Sequence, residues 1–209
     1  MATRGLHPFQ GSVVLKALGM APLAVLAFRV LTKAGHVRDG WILAAALAFS
    51  CLGDVLLHVG ARSYFLHAVG AFLLAHLTYI VLFTGHWPQP LHPSAGQLVL
   101  AAVVLLYGLS MCVWLWGGFG RLLVPALAYA CAIVVMTVST ILAGFSRPFV
   151  WIGALLFLIS DSLIAAGRFM MSFPVLALLI WPTYYLGQYG IAIGFLREKA
   201  GDSSPVPSR

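Results

Sequence analysis

The sequence has few charged residues. Only 8% of its 209 residues are Asp, Glu, Lys or Arg, whereas roughly a quarter are charged in a soluble domain. So few charged side chains cannot cover a water-exposed surface, which excludes an ordinary soluble protein. The twelve basic residues are scattered, mostly near the ends of apolar runs. They fit helix anchoring better than a nucleic-acid surface, so we expect no nucleic-acid partner.

Cysteines and common catalytic motifs are also scarce. Cys51, Cys112 and Cys131 are far apart inside apolar runs, which argues against a disulfide framework and a thiolate metal site. The chain lacks a Gly-x-Ser-x-Gly elbow, a phosphate-binding loop and a dinucleotide fingerprint. Asp54 and His58 are four residues apart and could share a metal, but no His-x-x-x-His accompanies them. We expect no metal site.

Long apolar runs dominate the chain. It is 62% hydrophobic, with a mean hydropathy of +1.00, and its runs approach the roughly 20 residues that a spanning helix needs. They lack the alternation of barrel strands. The sequence therefore predicts an all-α, polytopic membrane bundle of about seven transmembrane helices, at residues 13–31, 41–59, 64–85, 97–116, 121–144, 149–167 and 174–196.

These spans leave little room for other domains. We expect a polar N-terminal segment at 1–12, one transmembrane domain at 13–196 and a disordered tail at 197–209. An odd number of spans places the termini on opposite sides of the membrane. The side of the C-terminus has more Lys and Arg, which predicts a cytoplasmic C-terminus. We expect the membrane to be the inner membrane of a bacterium.

Two acidic residues lie inside apolar runs. Asp54 and Asp161 fall about 13 and 12 residues into the second and sixth predicted spans. A carboxylate in hydrocarbon costs a few kcal/mol or more, so such residues usually face the bundle interior and carry function. The two spans run in the same direction, which predicts that both carboxylates lie at a similar depth.

The spans that follow these two also resemble each other. Thr78-Tyr79 in the third span matches Thr183-Tyr184 in the seventh. This predicts a weak parallel internal repeat with a paired acid site at its interface. The alternative is coincidence between two aspartates that only pair helices.

Further polar residues fall at compatible depths in the spans. They are candidates to bind a substrate beside the two aspartates, although snorkelling, interhelical hydrogen bonding or packing would also explain them. These candidates are Lys16, His76, Tyr79, Tyr184, Tyr185 and Gln188.

A pair of close carboxyl groups favours acid–base chemistry. Two neighbouring carboxylates cannot both ionise cheaply, so one can stay protonated as an acid while the other stays ionised. This division of roles suits hydrolysis through an oxocarbenium-like intermediate.

The order and spacing of these residues are similar to those of a known family, and the similarity covers about residues 13–196. The chain resembles the YhhN-like lysoplasmalogenases. The motifs that carry the resemblance are Lys16, Gly53-Asp54, Ala75-His76-Leu77-Thr78-Tyr79, Gly153-Ala154-Leu155-Leu156-Phe157 before Ser160-Asp161, and Thr183-Tyr184-Tyr185-x-x-Gln188.

The resemblance implies an integral membrane hydrolase. Its substrates would be lysoplasmalogens, cut at the vinyl ether to a fatty aldehyde and a glycerophospho-base, usually choline or ethanolamine. It implies no metal or organic cofactor. Members are generally described with about eight spans, and the one not counted here would precede Lys16.

Two other functions fit the same sequence. Seven spans with a parallel repeat also describe small transporters, in which an intramembrane acid pair could relay protons. A lipid-binding protein without turnover is the second alternative.

Overall fold

The computed structural model describes residues 11–60, 63–170 and 174–202, with side chains from Gly19 to Lys199 outside 61–62 and 171–177. Within these residues the chain forms seven α-helices, a single 3-10 turn at Gly120–Leu122 and no strand. The helices are α1 (Gly11–Lys33), α2 (Val37–Gly60), α3 (Phe65–Thr84), α4 (Ala95–Phe119), α5 (Leu123–Leu142), α6 (Phe149–Phe169) and α7 (Pro174–Asp202).

Each predicted span coincides with one helix, which confirms the all-α fold. Four helical segments are long and apolar enough to cross a membrane: Val37–Gly60, Phe65–Thr84, Ala95–Leu142 and Phe149–Phe169. The third of these contains both α4 and α5. The apolar helices show a membrane protein, while the full count of seven spans stays a prediction.

The helix ends depart from the predicted domain limits in two places. Helix α1 begins at Gly11, inside the segment predicted to be a polar extension. Helix α7 continues to Asp202, so the first part of the predicted disordered tail is helical. Residues 1–10 and 203–209 lie outside the described part of the chain.

The helices pack as two tightly joined groups. In one, α2 lies between α1 and α3, and in the other α6 packs along α7. Helix α5 joins the groups by contacting both α3 and α6, and α4 packs mainly on α5. The even-numbered helices run in one direction and the odd-numbered ones in the other, so α2, α4 and α6 end at the same side of the bundle.

Glycines allow α6 and α7 to approach closely. A Cβ at Gly153 would lie 2.5 Å from the backbone nitrogen of Ile191 and 2.7 Å from the carbonyl oxygen of Gly187. Small residues promote helix association in membranes because backbones can touch there. This contact fixes α6, which carries Asp161, against α7, which carries Tyr184 and Gln188.

The outer surface of α4 is apolar. Val99, Leu106 and Val113 are each more than 60% exposed. A soluble protein rarely leaves such a row of large apolar side chains in water. The row therefore fits contact with lipid.

The α6–α7 contact predicts a stability difference between two glycine substitutions. We expect Gly153→Ala to lower the thermal unfolding midpoint in detergent, because its new methyl group meets backbone atoms. Overpacking of this kind costs about 1–3 kcal/mol. Gly70→Ala is the matched control, since a Cβ there meets nothing within 4 Å. Equal midpoints for the two variants would contradict the proposed role of Gly153.

Candidate active site

The carboxyl group of Asp161 lies where α3, α5 and α6 meet. The Tyr129 hydroxyl donates a hydrogen bond to Oδ2 of Asp161 over 2.5 Å. Nε2 of His76 lies 3.3 Å from the same oxygen and 3.1 Å from the Tyr129 hydroxyl. His76 is fully buried and Asp161 is 8% exposed. Both contacts fall on Oδ2, so the described side chains leave Oδ1 of Asp161 to a further partner.

The histidine ring is held by aromatic neighbours. Its centroid lies 4.9 Å from that of Phe157 and 5.1 Å from that of Tyr129. Nδ1 of His76 is buried without a hydrogen-bond partner among the described residues. The tautomer with its proton on Nε2 suits this environment, because that proton points at oxygen and no N–H is buried unpaired.

Asp54 is also buried in the bundle interior, with 3% of its surface exposed. The hydroxyl of Tyr184 donates a hydrogen bond to Oδ2 of Asp54 over 2.8 Å. Tyr184 in turn packs edge-on against Phe72 and Phe157. Phe157 thus touches both His76 and Tyr184, and it joins the surroundings of the two carboxyl groups.

The partners of the two aspartates come from opposite helix pairs. Asp54 on α2 is bonded by α7, while Asp161 on α6 is bonded by α3. This exchange is the arrangement expected if α2–α3 and α6–α7 form an internal repeat. Both carboxylates also lie within electrostatic range of both Tyr129 and Tyr184. The two acids therefore belong to one polar centre.

A second polar chain lies beside this centre. Tyr79 donates its hydroxyl proton to Oε1 of Gln188 over 2.6 Å, and Nε2 of Gln188 donates to Oγ of Ser50 over 2.9 Å. All three residues have no exposed surface. The chain links α3, α7 and α2, and it fixes the helices that carry His76, Tyr184 and Asp54.

An apolar cavity of about 120 Å³ reaches Asp161. Its walls come mainly from α3, α4, α5 and α6. Its lining extends from Phe65, Phe119 and Phe169, at the ends of their helices, to Gly108, Val134 and Leu158, nearer the middle of theirs. Tyr129 and Asp161 lie between these two ends. The cavity therefore exposes the second aspartate, and Asp54 is not among its lining residues.

Close helix contacts define the sides of this cavity. A Cβ at Gly108 would clash with Val134 of α5, and one at Gly118 would clash with the backbone of Phe169 at the end of α6. Helix α4 is thereby held against α5 and α6. Among the described residues, α3 and α4 are not a closely packed pair. Residues of both α3 and α4 line the cavity, which therefore lies between these two helices.

The predicted site residues have different positions in the structure. Asp54, Asp161, His76, Tyr79, Tyr184 and Gln188 all lie in the polar centre or the chain beside it. Tyr185 packs against Gly19 and Trp181 and lies within electrostatic range of Asp54. The side chain of Lys16 lies outside the described residues.

Sequence reasoning missed Tyr129 and Ser50, which take part in the hydrogen bonds above, and Arg168, which lines the cavity together with Asp161. A single tyrosine or serine in an apolar span is commonly a packing residue, so neither signals a site. Arg168 was interpreted only as a charge near a helix end. Its spacing from Asp161 was the available signal, because residues seven apart lie on one face of a helix.

The geometry suits proton transfer in an apolar environment. Asp161 borders the cavity, and its Oδ2 is already held by a phenol and an imidazole. Oδ1 can then exchange a proton with a molecule in the cavity. Since the walls are apolar, that molecule would be a lipid or another hydrophobic compound.

The resemblance found in the motifs is confirmed by the family profile and by relatives. A protein of Mycobacterium tuberculosis named lysoplasmalogenase is 32% identical over 202 residues, which cover 95% of this chain and 77% of that protein. Lysoplasmalogenase TMEM86B of Sus scrofa is 35% identical, with 82% and 71% covered. Its counterpart in Homo sapiens is 31% identical, with 94% and 77% covered.

No solved structure matches the chain at a significant level. The profile of the YhhN family matches residues 11–195, from the start of α1 almost to the end of α7. By this match and by the identities above, the chain belongs to the YhhN family.

Proposed function

We propose that this chain is a membrane hydrolase that cleaves the vinyl-ether bond of lysoplasmalogens. The products are a fatty aldehyde and a glycerophospho-base, either glycerophosphocholine or glycerophosphoethanolamine. The observation that carries the proposal is the carboxyl group of Asp161 at the wall of an apolar cavity, in a chain whose relatives are named lysoplasmalogenases.

The reaction begins with a proton on Asp161. Its Oδ1–H bond breaks and a new C–H bond forms at the vinyl-ether carbon that does not carry oxygen. The electron pair of the C=C bond makes this bond, and the adjoining C–O unit becomes an oxocarbenium ion. Tyr129 and His76 hold Oδ2 meanwhile, which keeps the carboxyl plane fixed toward the cavity.

Water then completes the hydrolysis. The Asp161 carboxylate takes a proton from water as the oxygen adds to the oxocarbenium carbon, giving a hemiacetal. The hemiacetal hydroxyl loses its proton, the bond to the glycerol oxygen breaks, and that oxygen is protonated. One water is consumed and Asp161 regains its proton, so the cycle needs no cofactor.

Asp54 supplies negative charge during these reaction steps. In its ionised form it lowers the energy of the oxocarbenium ion through an interior of low dielectric. Tyr184 holds Asp54 by a direct hydrogen bond. Tyr79 and Gln188 act as positioning residues, because their polar groups bond each other and Ser50.

A transporter would need the same acids to face water alternately on each side of the membrane. No observation among the described residues favours that function, and the relatives carry names of hydrolases. Hydrolysis is therefore the function we propose.

Asparagine substitutions test the two acids. We expect Asp161→Asn to reduce aldehyde release from a vinyl-ether lysophospholipid by at least about 100-fold, the contribution typical of a general acid. Asp54→Asn should lower it as well, because the cation loses a compensating charge. Aldehyde is measured with purified protein in detergent, with the saturated-ether lipid as substrate control.

The Asp161 mechanism would be disproved by a folded Asp161→Asn protein with full activity. The same result for Asp54→Asn would remove the second acid from the mechanism. An unmutated protein that releases no aldehyde would disprove the hydrolase itself.

Carbon protonation predicts where solvent hydrogen enters the product. In D₂O, we expect one deuterium on the carbon next to the aldehyde, because Asp161 exchanges its proton with solvent between turnovers. The aldehyde is trapped by reduction within the first turnovers and analysed by mass spectrometry. An aldehyde without deuterium at that carbon would disprove proton transfer to the carbon. The unreacted lipid is the control and should carry no deuterium.

Removal of the Tyr129 hydroxyl tests whether its hydrogen bond to Asp161 contributes to the reaction. We expect Tyr129→Phe to reduce kcat by about tenfold, the effect of losing a hydrogen bond to a charged group. Its pH–rate profile should also shift, which loss of packing alone would not cause. Tyr189→Phe is the control, because Tyr189 is 53% exposed on the outer surface of α7. Equal rates and profiles for both variants would show that Tyr129 only packs.

A further inference from the structure

The mouth of the cavity carries one charged group that the proposed reaction does not use. Among the described lining residues, Arg168 is the only cation and Asp161 the only acid. Arg168 lies at the end of α6 and is exposed. The cavity thus has a basic outer end and an acidic group further in, with apolar walls between them.

The spacing of these two residues follows from helix geometry. Arg168 lies seven residues after Asp161, so both point from the same face of α6, roughly 10 Å apart along its axis. Ile164 and Ala165 lie between them on that face and also line the cavity. A molecule in the cavity can therefore extend along α6 and reach both groups.

The guanidinium group of Arg168 packs on an aromatic ring and has no acidic partner among the described residues. Its Cζ lies 4.7 Å from the centroid of the Phe65 ring. The described ion pairs join Asp161 to His76 and Asp39 to His86, and neither includes Arg168. Stacking on an aromatic face leaves the edge donors of an arginine able to form a bidentate bond with phosphate.

A lysoplasmalogen matches this distribution of charge and apolar surface. With bond lengths near 1.5 Å, an extended glycerol backbone places phosphorus roughly 8–9 Å from the vinyl-ether carbon that is protonated. That length is close to the distance between Asp161 and Arg168 along α6, and the long arginine side chain can make up the difference.

We propose that Arg168 binds the phosphate of the lysophospholipid substrate. This proposal rests on the function proposed above and adds the direction of the bound lipid. The glycerophosphate lies at the end of the cavity formed by Phe65, Phe119 and Phe169, and the vinyl ether lies beside Asp161. The alkenyl chain continues along the apolar walls toward Gly108, Val134 and Leu158.

The site recognises phosphate, which choline and ethanolamine lipids share. Arg168 therefore contributes equally to both substrates and does not select the base. The charge of Arg168 is also the reason why a free fatty alcohol ether would bind less well than a lysophospholipid.

Binding of a lipid that cannot be cleaved tests the site apart from turnover. The probe is a radiolabelled lysophosphocholine with a saturated hexadecyl ether, titrated onto purified protein in detergent. We expect Arg168→Gln to weaken its binding by about tenfold or more, as for a lost charge-assisted hydrogen bond. Arg168→Lys should recover part of the loss, because it keeps the charge without the planar fork.

Arg121→Gln is the matched control. Arg121 is also an exposed arginine at the same side of the bundle, but it does not line the cavity. We expect it to bind the probe as the unmutated protein does. Equal affinities for Arg168→Gln and the unmutated protein would overturn the proposal, as would equal losses in both arginine variants.

Turnover gives an independent readout. For vinyl-ether lysophospholipids, Arg168→Gln should raise KM by about tenfold with kcat little changed, since binding is lost equally from substrate and transition state. For an alkenylglycerol that lacks phosphate, its rate should equal that of the unmutated protein. An equal loss on both substrates would overturn a role in phosphate binding.

The two proposals can fail separately. If the unmutated protein binds the saturated lipid and Arg168→Gln does not, while no aldehyde ever forms, the lipid site holds and the hydrolase fails. If aldehyde forms and Arg168→Gln changes neither the binding of the probe nor KM, the hydrolase proposal holds and the phosphate site fails.

Discussion

The structure depends on how two carboxyl groups are accommodated in an apolar bundle. Each would cost several kcal/mol if buried without partners. Asp54 and Asp161 avoid this cost because each has a hydrogen-bond partner on the other helix pair. Asp54 is bonded by the hydroxyl of Tyr184 on α7, and Asp161 by the imidazole of His76 on α3. The bonds can form only when α2–α3 and α6–α7 are docked together. The two buried aspartates therefore favour this assembly of the bundle, and in the proposed function the same residues carry the chemistry.

That same assembly divides the surroundings of the two acids. Asp54 is buried and bonded to Tyr184, whereas Asp161 lines an apolar cavity. An acid that meets substrate and a second acid that only contributes charge can take different roles without any difference in residue type. Helix α4 contributes to this division, because it lines the cavity at Asp161 and close glycine contacts hold it against α5 and α6.

The helices and both acids could be predicted from the sequence because their signals are local. A run of apolar residues near the thickness of a bilayer indicates a helix, and a carboxylate inside such a run is costly enough to be informative. Tyr129 could not be predicted, since its importance arises only when α5 lies between α3 and α6. It could also not be predicted that each aspartate bonds a helix of the other pair. Residue spacing shows which residues share a face of a helix, but it does not show which helices pack together. The end of α7 was misjudged because its charged residues were interpreted as a tail, although Lys199 lies over the Phe195 ring of the same helix.

In the proposed mechanism, the apolar cavity would help a weak acid such as Asp161 to protonate carbon. Carbon is a poor proton acceptor, so its protonation is slow when water competes for the same proton. Asp161 lies within an apolar lining, where an alkenyl chain would displace water from the carboxyl group. In that environment the developing cation is stabilised mainly by the two fixed carboxylates, whose interaction with it is weakly screened. Water is still required for the second step, and it can enter with the polar glycerol end of the substrate from the side of Arg168. In the proposed binding mode, the polarity along the cavity would match that of the lipid: apolar at the alkenyl chain, acidic at the vinyl ether and basic at the phosphate.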